Sequence, residues 1–218
     1  MTDRIITNEK YSQGITAYID SITACIEETT QLAVVVLGKS FMSLDICFCG
    51  LMNRSIHLAQ GFISMLRDRN LTCAGALLRL QLDNCLRLYA ISIAEDEQAV
   101  IGTVLDGKSI RSLKDKSGKK MTDAYLKEQL GMYDKQLPIV YANTSGFIHF
   151  SGVAVFQSID VCKEHRATIQ IGGDLSEKHN GALIECAEAY LHYYRLFLNL
   201  MNGEAEWKQS FDKSMEEP

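Results

Sequence analysis

The sequence predicts a mainly α fold, a helical bundle of about five to six helices with one small β-hairpin. Three observations lead there. Only two prolines occur in 218 residues, Pro138 and Pro218, so long windows hold nothing that must break a helix. Apolar residues recur at three- and four-residue spacing through most of the chain. One window, about 153–172, changes to alternation: Ile159 and Val161, then Ile169 and Ile171, are separated by polar residues around a turn at Lys163 to Arg166.

The elements follow in order. A first helix spans about Asn8 to Leu37, with Ile15, Tyr18, Ile19, Ile22 and Ile26 on one stripe and Gly38 as its C-cap. A second runs from about Phe41 to Arg69, its apolar positions interrupted by Asn53, Arg54, His57 and Gln60. The third, Leu71 to Ala94, is apolar on almost every side, the pattern of a buried helix. Yet Arg79, Asp83 and Arg87 stand at i, i+4 and i+8, a stripe of alternating charge on a greasy rod. Buried charges must find partners, so a polar seam through the core is expected here.

After a short amphipathic piece, EDEQAVIGTVL, the basic stretch Gly107 to Lys120 reads as a linker and solvated loop. Thr122 to Gly131 and Tyr133 to His149 read as helices, the latter with a restart at Pro138. A last helix covers about Ser176 to Asn202, and residues 206–218 read as a polar, frayed tail. The whole is expected as one helical domain over 1–205, with the hairpin inserted at about 153–172.

Composition narrows the function. A net charge of −5 argues against a general nucleic-acid binder, and the Lys108 to Lys120 run has no interleaved aromatics for base stacking. Seven scattered cysteines fit reduced thiols in a cytoplasmic protein. Met1 to Lys10 is too polar for a secretory leader, and the longest apolar runs, such as Leu32 to Leu37, are too short to span a bilayer, so no membrane partner is expected.

Several motifs suggest chemistry. Gly102 to Ser109, GTVLDGKS, matches the phosphate-loop pattern G-x4-G-K-S, but that loop needs a buried strand before it and a helix after it, and neither flank fits. Cys47-x-Cys49 lies in an apolar helical window and reads as two buried thiols, not a zinc site. Glu185, Glu188, His192 and Arg195 form a stripe on the last helix; paired polar groups explain it better than metal ligation. No metal and no cofactor is called for. Tyr141, Ser145 and His149 stand at i, i+4 and i+8, placing a phenol, a hydroxyl and an imidazole on one helix face. Packed on the central helix, His149 would approach Asp83 or Arg79, and a carboxylate-oriented histidine is a competent general base. The same groups could instead satisfy one another in a structural network.

The Arg79-x3-Asp83 helix and the Tyr141-x3-Ser145-x3-His149 segment together resemble a bacterial family of helical proteins of unknown function. The layout from Phe41 to Leu200 is also similar in outline to HEPN-type helical bundles, which occur in toxin and phage-defence systems, often as dimers acting on RNA. HEPN ribonucleases carry Arg, four to six residues, then His on one helix; no arginine here precedes a histidine at that spacing, Arg54 and His57 being too close. The resemblance implies a homo-oligomer of defence or toxin type. In that reading the seam binds a phosphate-containing ligand, RNA or a nucleotide, or cleaves RNA. His149, Asp83, Arg79, Ser145 and Tyr141 are then the catalytic candidates, and Arg87, Arg54 and His57 the ligand-binding ones. The alternative is a non-catalytic homo-oligomeric interaction module whose seam is structural; a metal-dependent enzyme using the last helix is a third reading.

Overall fold

A computed structural model describes residues 2–149, 151, 152, 155, 159–162, 166–169, 171 and 177–215. The chain is mainly helical, with seven α-helices among the described residues: α1 (Thr2–Leu37), α2 (Ser43–Arg67), α3 (Leu71–Ile93), α4 (Glu97–Leu105), α5 (Asp123–Gly131), α6 (Leu137–Ile148) and α7 (Glu177–Ser214). A single 3-10 turn, Ile110–Ser112, follows α4. No described helix is long and apolar enough to cross a membrane.

Local chemistry sets the boundaries. α1 stops at Gly38, which takes φ +53° and donates its N–H to the Val34 carbonyl at 3.2 Å; a Cβ there would also collide with the Asp212 carboxylate. At the start of α2 the Asp45 carboxylate reaches back to the Met42 N–H at 2.7 Å, half of a capping box. Asn70 caps α3 by accepting the Cys73 N–H at 3.0 Å. Thr122 caps α5 and Asp96 caps α4 in the same way. α6 begins at Leu137, not at Tyr133, because Pro138 suits a first helical turn, where its missing N–H costs nothing.

Four long helices build the bundle. α7 packs along α1 and α3, while α2 packs on α1 and α3. The turn Asp68 to Asn70 joins α2 and α3 as an antiparallel helical hairpin. At the centre, Phe62 of α2 stacks on Tyr190 of α7 at 3.9 Å, and Tyr190 meets Tyr194 edge-on. Ile22, Leu82 and Leu86 fill in around them without solvent exposure. α6 lies against α3, where Gly75 lets the Phe147 ring come down on the helix backbone. α4 covers part of α2, and α5 part of α3.

Two four-residue strands, β1 (Ile159–Cys162) and β2 (Arg166–Ile169), pair antiparallel with Ile159 opposite Ile169. This ribbon adds no sheet layer to the bundle, and the turn residues 163–165 and most of the rest of the expected hairpin window lie outside the described residues.

Two expectations are corrected. The stretch Gly107 to Lys120 is no free linker. One Asp115 oxygen accepts from the N–H groups of Ser117 and Lys119 and from the Ser117 hydroxyl, and the other from the Tyr125 hydroxyl at 2.5 Å. The Tyr125 bond, above all, holds this carboxyl down to about 2. Backbone bonds from Glu95 to Lys114 and from Lys116 to Ile93 tie the same loop to the end of α3. The second correction concerns the tail. α7 continues to Ser214, and Ala205 and Lys208 are buried. Lys208 reaches Asp45 of α2 at 2.7 Å and also donates to the Ser40 carbonyl.

Candidate functional site: an arginine-headed cleft

The polar seam begins where α2 faces α3. Ser55, Gln81 and Asn84 are fully buried there. Asn84 donates to the Ser55 hydroxyl at 2.9 Å, which in turn donates to Gln81 at 3.2 Å. Arg54 donates from Nη1 to the Asn84 carbonyl and, at 3.4 Å, to Asp83. A buried amide and hydroxyl thus orient an arginine that is still over a third exposed.

Outward from this network, charges alternate. Asp83 accepts Arg87 Nε at 3.2 Å and Nη2 at 2.9 Å. Arg87 also bonds Asp123 at the first turn of α5, and the second Asp123 oxygen takes Arg111 at 2.5 Å. Burial works against charge on Arg87, but Asp83 and Asp123 outweigh it and raise its pKa above the usual value. For Asp123, burial pushes the carboxyl up, yet the bonds from Arg87 and Arg111 leave it below the usual range. Three guanidinium groups from three elements therefore share two carboxylates, a local cationic excess in a chain of net charge −5. Each keeps donors to spare among the described residues: Arg54 uses only Nη1, Arg111 only Nη2, and Arg87 leaves Nη1.

These arginines line a cleft of about 480 Å³ between α2, α3, α4 and the 107–111 segment. Most of the remaining wall is aliphatic, with Ile46 and Leu51 from α2, Ile91 from α3, Val100 and Val104 from α4, and Ile110; Lys108 and Ser109 are its other polar residues. The volume and the mix of apolar wall with a few convergent polar groups are those of a small-molecule site. Cys47 also faces the cleft, and burial pushes its thiol pKa up, away from the thiolate form.

The expected site residues divide into three groups. Asp83, Arg87 and Arg54 meet as described. Arg79 and Tyr141 form a second contact, the guanidinium 3.5 Å above the ring centroid, with Lys127 at 5.3 Å from the same ring. Burial pushes the Tyr141 phenol up, partly countered by the Arg79 cation. Ser145 is occupied locally, its hydroxyl donating to the Tyr141 carbonyl at 2.8 Å. His149 and His57 stand apart. His57 is exposed on α2. His149 is exposed at the C-cap of α6 with φ −110° and ψ 145°, and Asp83 is bonded to Arg54 and Arg87 instead. The general-base pairing expected of His149 is thereby corrected: the helix ends at Ile148, so helical spacing no longer directs the next side chain.

Other motifs resolve as well. Gly102 lies inside α4, and Gly107, Lys108 and Ser109 follow a helix, not a strand, so the phosphate-loop letters lack their fold; these three residues nevertheless line the cleft. His192 pairs with Asp134 of the α5–α6 connection at 2.8 Å, not with Glu188. Among the described residues no group of three or more His, Cys, Asp or Glu could hold a metal ion. Arg111 and Asp123 are the residues that sequence reasoning missed. Asp123 is signalled only as an acidic residue after the Thr122 cap, and Arg111 only as one of six basic residues in the presumed linker.

No protein-family model matches the chain, and neither a curated protein nor a solved structure does.

Proposed function

We propose that this protein binds a small phosphate-containing ligand in the α2–α3–α4 cleft, with Arg54, Arg87 and Arg111 holding the phosphate. The observation that carries the reading is the gathering of three guanidinium groups against two carboxylates at one end of an open apolar cleft. Arginine forks suit phosphate oxygens and stay charged at any physiological pH. The reading is one of binding, not of RNA cleavage. The carboxylates of this seam, Asp83 and Asp123, are each engaged by two arginines, and His149 sits at the exposed end of α6, away from them.

A defence or toxin role of the kind implied by the helical-bundle resemblance would make the ligand a nucleotide or an RNA end. The test uses inorganic pyrophosphate and thermal unfolding. At 100 times its Kd, a ligand specific to the folded state adds about 2.7 kcal/mol, or roughly 5–10 °C in a chain of this size. The expected result is a saturable rise in Tm for the wild type that is lost in Arg111→Gln, a variant that leaves Arg87 to neutralise Asp123. No rise at any concentration would return the seam to a purely structural role, the reading in which the chain is an interaction module.

A further inference from the structure

We infer that the ligand of this cleft is an aliphatic phosphate monoester, a linear or branched hydrocarbon chain ending in a phosphate, and not a nucleotide. The inference rests on the phosphate-binding reading above and concerns what lies beyond the phosphate.

The cleft has a direction. On α2 its lining residues Ile46 and Cys47, Gly50 and Leu51, and Arg54 follow one another on successive turns. α3 runs antiparallel beside it, with Arg54 meeting Asp83 and Asn84, so Arg87 lies beside the Gly50 turn and Ile91 beside the Ile46 turn, and the Arg87 side chain reaches back to Asp83, the carboxylate that Arg54 also bonds. Arg111 joins the Arg87 end through Asp123. All three guanidinium groups therefore stand at one end, and about 12 Å of helix, eight residues at 1.5 Å each, leads from Arg54 to an aliphatic end at Ile46.

The wall chemistry selects the rest of the ligand. Ile46, Leu51, Ile91, Val100, Val104 and Ile110 are all aliphatic, and no aromatic ring lines the cleft. The bases of single-stranded nucleic acids are typically stacked on aromatic rings, which this cleft does not offer; a hydrocarbon chain needs only apolar surface. Ile46 and Val104 are each 44 % exposed, so this surface stands open to solvent in the unliganded protein. Gly50 contributes a further opening: a Cβ placed on it meets nothing within 4 Å. The α2 backbone is thus bare in the middle of the channel, one turn before Arg54.

The test is isothermal titration of the wild type with inorganic phosphate, with ethyl, butyl, hexyl and octyl phosphate below their micellar concentrations, with octanoate, and with AMP. Affinity is expected to rise about 3- to 4-fold for each methylene buried until the chain outgrows the channel, with AMP no tighter than inorganic phosphate and octanoate weaker than octyl phosphate. Gly50→Leu, which adds a better helix former into empty space, is expected to fold at least as stably and to abolish the chain-length dependence while still binding inorganic phosphate. Affinity that is flat with chain length, or AMP binding more tightly than octyl phosphate, would overturn the aliphatic assignment and leave the phosphate site standing. Octanoate binding more tightly than octyl phosphate, or no binding by any of these compounds, would overturn the phosphate reading itself. An unchanged chain-length dependence in Gly50→Leu would show that the chain lies elsewhere, and would also overturn the inference.

Discussion

Replacing Lys208 by methionine is expected to destabilise the protein severely, although the residue lies in a segment whose composition reads as a solvated tail. Lys208 is 2 % exposed and Asp45 3 %. The ammonium stands 2.7 Å from the Asp45 carboxylate and also donates to the Ser40 carbonyl. Methionine keeps the apolar stem and removes the charge, which leaves Asp45 buried with the Met42 N–H as its remaining donor. Breaking a buried pair from one side costs about 3–5 kcal/mol. At roughly 2–4 °C per kcal/mol for a chain of this length, Tm should fall on the order of 10 °C. Urea unfolding of the wild type, K208M and the double variant K208M/D45N measures the loss and its origin. The neutral asparagine can still accept from Met42, so the double variant should regain part of what K208M loses. A K208M protein within about 1 kcal/mol of the wild type would refute the reasoning, because that is the behaviour of an exposed pair. The pair matters to the cleft because Asp45 directly precedes Ile46 and Cys47, which form its apolar end.

Two further predictions test the surrounding scaffold. Gly75→Ala would set a Cβ 2.5 Å from the Phe147 ring; overpacking of about 1–3 kcal/mol should outweigh the gain of about 1 kcal/mol in helix propensity, so Tm should drop and be recovered by Phe147→Leu, and a rise in Tm for Gly75→Ala would show that α6 does not rest on α3 there. Asp115 has its pKa lowered from 3.8 to about 2 in the folded protein, so its contribution is complete above the unfolded value and is lost as pH falls through that interval. The Tm gap between wild type and Asp115→Asn should accordingly be widest near neutral pH and close between about pH 4 and pH 2; a gap that stays constant with pH would mean the carboxylate is not what holds the 107–120 loop.

Much of the scaffold could be read from periodicity because helix formation is local. The stripe Ile15 to Ile26, the Gly38 cap and the buried α3 rod all rest on contacts within a few residues, and the structure places them as the pattern requires. Arg54, Asp83 and Arg87 were recognisable for the same reason: two are an i, i+4 pair, and all three interrupt otherwise apolar helices. What stayed hidden depends on long-range pairing. Asp123 joins Arg87 across 36 residues and Lys208 joins Asp45 across 163, separations at which no spacing rule operates. The basic stretch 107–120 misleads because one buried carboxylate, Asp115, organises a turn that composition alone describes as solvated. His149 misleads for the opposite reason, since its spacing from Tyr141 and Ser145 has meaning only while the helix continues, and the helix stops one residue earlier.

The most direct test of the central claim follows arginine side-chain N–H resonances while inorganic pyrophosphate is titrated into the nitrogen-15-labelled protein, with each signal assigned by substitution. The account predicts that Arg54, Arg87 and Arg111 shift together along one saturable curve, while Arg79, stacked on Tyr141 outside the cleft, stays in place. Shifts confined to other arginines, or none at all at saturating pyrophosphate, would contradict it.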